Sequence, residues 1–162
     1  MKRIIVFEGL LQGSDGPVCK KLRSLGYKVE GYRHSETLPI WDKVKYPGSL
    51  PALKSRDNFL IISHSLGGES ALLNAIPGDL VITLDPRKNN IGSFLDVIFR
   101  FEQPLSAPVG VTVYNYYQRK DFLPGNRVIG AEYNRLVNEY RHMTIPNVLT
   151  RELVEFALGR LK

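Results

Sequence analysis

Short apolar runs recur along this chain, separated by glycine, proline and charged residues, and their periodicity changes from run to run. Arg3-Ile4-Ile5-Val6-Phe7 ends at Glu8-Gly9 and is apolar at successive positions, the pattern of a parallel strand buried on both faces. Asn58 to Ser63 has the same character and predicts the central strand, with Leu80 to Leu84 as the fourth. Val109 to Tyr116, rich in Val, Thr and Tyr, predicts the fifth. Tyr27 to Arg33 alternates instead and predicts strand two, while Val128-Ile129 predicts a short sixth.

Helical periodicity fills the intervals. Ser14-Asp15 caps a helix running to about Leu25, with Val18, Leu22 and Leu25 on one face and Gly26 as its stop. Gly67 to Ile76 predicts a helix ended by Pro77-Gly78, and Ser93 to Phe101 another. Asn147 to Leu161 predicts a closing helix with Pro146 at its start and Leu149, Leu153, Phe156 and Leu161 spaced for burial. Residues 36–56, with Pro39, Pro47, Gly48 and Pro51, permit only short helical turns. Strand–helix alternation implies the α/β class: a mostly parallel sheet of five or six strands, wound right-handedly, with helices on both faces. Ligands of such sheets sit beyond the carboxyl ends of the strands.

Composition narrows the classes. The 162 residues predict a single domain over 1–162, and 43% hydrophobic content is enough for a buried core. One cysteine excludes an intrachain disulfide and a Cys-rich zinc module, and three scattered histidines argue against any other metal site. No apolar run reaches the roughly 18 residues of a membrane span, and the N-terminus turns acidic too soon for a secretory signal, so a cytoplasmic location is expected. The net charge of +6 is spread evenly, with 11 basic and 8 acidic residues in each half, and so predicts a solvated surface and no nucleic-acid partner. Gly9, Gly13 and Gly16 do not match the spacing of a dinucleotide loop, and no Gly-Lys-Ser/Thr is present.

The stretch Leu60-Ile61-Ile62-Ser63-His64-Ser65-Leu66-Gly67-Gly68 carries an apolar strand through small residues straight into a helix. It resembles the nucleophile elbow of the α/β-hydrolase family, Gly-x-Ser-x-Gly, with Ser63 in the first glycine position and Gly67 in the second. The resemblance makes Ser65 the nucleophile and the Leu66 N–H an oxyanion donor at the head of the helix. It also implies a compact core with strand order 2-1-3-4-5-6. A serine merely capping a helix after a strand is the plainer alternative.

A nucleophilic serine needs a base and an orienting acid, which this family supplies in the chain order Ser, acid, His. His142 is the one histidine after Ser65, in a loop before the closing helix. His64 is excluded as base by its adjacency to Ser65, and His34 reads as a loop residue. Two aspartates compete for the acid: Asp85, after strand four, and Asp121, after strand five. The family's usual spacing favours Asp121, and Asp121-Phe122-Leu123-Pro124 with Tyr140-Arg141-His142 resembles the Asp-x-x-Pro and Tyr-x-His segments of fungal-type lipases. The other aspartate is then expected to order a loop at the same rim. A second oxyanion N–H is assigned to Leu10 or Leu11, although Glu8-Gly9 stands where the family more often shows His-Gly. Cys19 reads as a half-buried helix residue, and Tyr117 as a candidate for the substrate groove.

The resemblance implies a serine hydrolase that needs no cofactor and acts on a small ester or an acylated polymer. Residues 86–108 leave little room for a lid, so an open, cutinase-like site is expected. The rival class is a non-catalytic binding protein on the same fold.

Overall fold

The structure is a computed structural model and describes residues 4–9, 16–33, 58–88 and 102–161. The expected helix at Ser93 to Phe101, the Ser14-Asp15 cap, the turns of 36–56 and His34 lie outside the described residues. The main sheet contains β1 (Ile4–Glu8), β2 (Val29–Arg33), β3 (Leu60–His64), β4 (Leu80–Leu84), β6 (Thr112–Tyr117) and β8 (Tyr133–Leu136). Its order is β2-β1-β3-β4-β6-β8 and every pairing is parallel. Counted along the main sheet alone, this is the expected 2-1-3-4-5-6 arrangement of an α/β protein.

The sixth strand differs from expectation. Val128-Ile129 forms β7 (Val128–Ile129), which pairs with β5 (Leu105–Ser106) in a separate two-stranded ladder. Tyr133–Leu136 is exposed throughout and has no apolar run, so periodicity gave no signal for it. Side-chain amides hold it in place. Asn115 of β6 donates to the Asn134 side chain at 2.8 Å and to the Asn126 carbonyl at 3.0 Å, and Asn134 bonds both the N–H and the C=O of Val128. Thr83 donates to Asn115 at 2.7 Å, extending this polar row across β4.

Period-two alternation explains why the central strands read as continuous apolar runs. Ile4, Val6, Leu60, Ile62, Leu80, Ile82, Tyr114 and Tyr116 point to one face, where Val18, Cys19 and Leu22 of α1 (Pro17–Ser24) and Val154 and Ala157 of α3 (Arg151–Arg160) cover them. Ile5, Phe7, Ile61, Val81 and Val113 point to the other, where they meet Ala71 and Leu72 of α2 (Gly67–Asn74) together with Leu105 and Val128. Cys19 is fully buried in the first layer, not half-buried. Among the described residues no helix is long and apolar enough to cross a membrane.

The closing helix starts later than expected. Ile145–Val148 forms a 3-10 turn, Leu149 is extended, and Thr150 starts α3 afresh by accepting the Leu153 N–H. Leu149 and Leu161 are buried as expected, Val154 and Ala157 join them, and Phe156 is left 54% exposed.

Two glycines in helices give opposite expectations. A Cβ at Gly67 would overlap the Phe7 carbonyl oxygen, whereas one at Gly159 would meet nothing within 4 Å. Gly67→Ala should therefore lower the free energy of urea unfolding by about 2 kcal/mol or more. Gly159→Ala should raise it by about 0.5 kcal/mol, the gain from replacing a helical glycine.

Candidate active site

β3 and β4 end side by side, and each ends in a left-handed turn at a residue that is not glycine. Ser65 has φ 56° and Asp85 has φ 52°. Such backbone costs on the order of 1–3 kcal/mol per residue and persists only where its surroundings enforce it. Here main-chain bonds enforce both. The Ser65 N–H donates to the Leu84 carbonyl at 3.1 Å, and the Ser65 carbonyl accepts from Gly68 and Arg87, each at 3.0 Å. The Asp85 N–H donates to the Tyr116 carbonyl at 2.8 Å. Gly67 lets α2 press onto the end of β1, and this close approach holds the turn at Ser65 sharp. Ser65 and Leu66 are partly exposed, while Gly67 and Gly68 beneath them are buried. Leu66 is the N-cap of α2, and the first N–H groups of a helix have no acceptor within it.

Asp85 is completely buried, and its carboxylate is surrounded by donors. Oδ1 accepts the Gln118 main-chain N–H at 2.8 Å, and Oδ2 accepts the Gln118 side-chain amide at 2.8 Å. The same Oδ2 lies 2.8 Å from Nδ1 of His142. With the carboxylate as acceptor, Nδ1 carries the proton and Nε2 keeps a free lone pair. A Cβ at Gly125 would overlap this carboxylate, so only glycine fits where the 121–125 turn crosses Asp85.

Asp121 occupies a different place from the one expected of it. Its Oδ2 accepts the main-chain N–H of His142 at 2.9 Å, and its carboxylate does not face the imidazole. The reason lies in Gln118, whose side-chain oxygen accepts the N–H groups of Lys120 and Asp121 and so folds the chain after β6 into a turn. That turn brings Asp121 over the His142 peptide and leaves the imidazole to Asp85. Burial pushes the Asp121 carboxyl up, but the N–H groups of His142 and Phe122 outweigh it and hold the group below the ordinary carboxylate range.

His64 is 1% exposed, and its Nε2 lies 2.9 Å from the His142 carbonyl oxygen. The two imidazole rings are 4.7 Å apart at an interplanar angle of 33°. Desolvation, with the neighbouring His142 ring adding to it, lowers the His64 pKa to about 3.

The structure thus brings His142 and Asp85 together and places Ser65 at the adjoining strand end. Among the described residues no hydrogen bond joins the Ser65 hydroxyl to His142. Leu10 and Leu11, assigned to the oxyanion site, lie outside the described residues. Tyr117 is partly exposed at the carboxyl end of β6. Gln118 was not anticipated: a lone glutamine after a strand carries no motif, and its role appears only when Asp85 is packed against it.

Glu8 closes β1 inside the protein. Its Oε1 accepts the Cys19 N–H at 2.9 Å, supplying the cap that Gly16 lacks at the start of α1. Burial outweighs these bonds and raises the Glu8 carboxyl above its ordinary value.

No protein-family model and no curated protein matches the chain.

The buried His64 has a consequence for stability. The unfolded chain binds a proton on this ring near pH 6.5, whereas the folded protein resists until about pH 3. Within that window the unfolded state holds more protons, so stability falls as the pH is lowered. The urea midpoint should drop between about pH 7 and about pH 4, and His64→Gln should make that dependence shallower.

Proposed function

We propose that the protein is a serine hydrolase of the α/β-hydrolase type that cleaves a carboxylic ester through Ser65, His142 and Asp85. The observation that carries this reading is the 2.8 Å contact between Nδ1 of His142 and the buried Asp85 carboxylate, beside a serine held at φ 56°. An imidazole fixed this way presents its unprotonated Nε2 as a general base. The strained turn lifts the Ser65 hydroxyl clear of its own backbone at the head of α2.

In the proposed reaction His142 takes the proton of Ser65 as Oγ attacks the ester carbonyl. The Leu66 N–H, assisted by the α2 dipole and by a main-chain N–H of Leu10 or Leu11, holds the developing oxyanion. The tetrahedral intermediate collapses, His142 gives its proton to the leaving alkoxide, and an acyl-enzyme remains. Water then repeats the sequence and releases the acid. Hydrogen bonds between nucleophile and base are often loose in the free enzyme and tighten on the substrate. Asp121 supports the base from its main chain, and no cofactor enters the scheme.

The short stretch between β4 and β5 supports an open site for short acyl groups or for the surface of an acylated polymer. Short soluble esters should therefore be hydrolysed faster than long-chain triglyceride emulsions, and the reverse preference counts against an open site. A fluorophosphonate probe tests the chemistry directly. Labelling should disappear in Ser65→Ala and His142→Ala. Asp85→Asn should slow it by about four orders of magnitude, the cost of holding the base in the wrong tautomer. Asp121→Asn should slow it by no more than about tenfold, the scale for a displaced but intact base. Folded wild-type protein that does not label sinks the hydrolase reading and favours a binding protein.

A further inference from the structure

His142 is fastened at three points. Its imidazole meets Asp85, its N–H donates to Asp121, and its carbonyl lies 2.9 Å from Nε2 of His64. The third fastening is the one the proposed chemistry does not explain. A carbonyl oxygen only accepts, so Nε2 of His64 must carry the proton, leaving Nδ1 as an unprotonated lone pair. That lone pair is buried and, among the described residues, has no hydrogen-bond partner. A leucine or phenylalanine in the same layer would not bury an unsatisfied nitrogen, so packing alone gives no reason for a histidine here.

We propose that His64 is a positioning residue for the base: its Nε2–H, given to the His142 carbonyl, sets the loop so that the imidazole meets Asp85. The inference rests on reading His142 as the base. The geometry suits that role because the hydrogen bond engages the main chain and leaves Nε2 of His142 free for Ser65. Its anchor is rigid, since His64 is the last residue of β3 and pairs with Leu84 of β4. The same strand end therefore carries both the proposed nucleophile and the group that places its base. Among the described residues, the titratable group against His64 is His142, which in turn meets Asp85 through its imidazole and Asp121 through its N–H. The imidazolium that forms beside His64 during the reaction meets a neutral ring, because His64 stays neutral down to about pH 3.

The test combines two variants with a measurement on the wild-type protein. His64→Phe keeps a ring and removes the donor, whereas His64→Gln restores an N–H at similar reach. With folding checked by circular dichroism, His64→Phe should slow the chemical step of fluorophosphonate labelling by about tenfold to a hundredfold with reversible probe binding unchanged. His64→Gln should recover to within about threefold of wild type, the scatter expected for an intact hydrogen bond of slightly altered length. Proton NMR supplies a readout independent of activity: the downfield Nδ1–H signal of the His142–Asp85 bond should persist in wild type and His64→Gln and vanish in His64→Phe. In wild type the His64 ring should remain neutral and Nε2-protonated well below its ordinary 6.5. A His64→Phe protein that labels at the wild-type rate, a His64→Gln protein no faster than it, or a His64 ring titrating near 6.5 would each overturn the proposal. Wild-type protein that fails to label while keeping the downfield signal would refute the hydrolase reading alone. Should His64→Phe not fold, His64→Gln and the wild-type titration still decide the matter.

Discussion

Everything at the carboxyl edge of this sheet depends on the burial of one carboxylate. Asp85 is removed from solvent at the end of β4, and a charge there requires donors on every side. Gln118 supplies two and His142 the third, all at 2.8 Å. Each requirement propagates. The carboxylate is accessible to them only because Asp85 adopts a left-handed turn, and the turn closing over it must carry glycine at position 125. Gln118 then spends its oxygen on Lys120 and Asp121, which delivers Asp121 to the main chain of His142. The loop holding His142 is thereby tied to β4, to the segment after β6 and, through His64, to β3.

A parallel sheet makes this convergence possible. Its strands all end at the same edge, so residues remote in sequence, such as 64, 85, 118 and 142, meet there without long loops. Alternation buries Ile62 and Ile82 on one face and Ile61 and Val81 on the other, which fixes the register and hence the relative heights of Ser65 and Asp85. The polar row of Thr83, Asn115 and Asn134 performs the same service in polar terms, holding β8 and the small ladder in position where apolar pattern is absent. The strain at Ser65 and Asp85 is thus carried by a scaffold rigid enough to sustain it.

Much of this was legible along the chain. Four of the six main-sheet strands announced themselves by apolar runs, because burial on both faces leaves no polar alternation to confuse them, and β2 announced itself by alternation. The strand-to-helix turn at Ser65 was legible from its small residues, since Gly67 is required by contact with Phe7. β8 was not legible, being held by amide hydrogen bonds and exposed along its length. The start of the last helix and the exposure of Phe156 were not legible, because Pro146 lies in a separate turn and the helix begins again at Thr150.

The aspartates mark the boundary most clearly. Sequence order, together with the resemblance to the hydrolase family, narrowed the expected partner of His142 to Asp85 or Asp121, since both aspartates follow strands that end at the same edge. Which of them faces the imidazole was decided only in three dimensions, by the side chain of Gln118 folding the chain beyond β6 and by the absence of a side chain at Gly125. The partner of His64 was decided there as well. Its neighbour in sequence is Ser65, but its hydrogen bond runs to a carbonyl 78 positions away. A linear pattern records which residues are apolar and where the chain must turn; it holds no record of which donor a buried acceptor will meet.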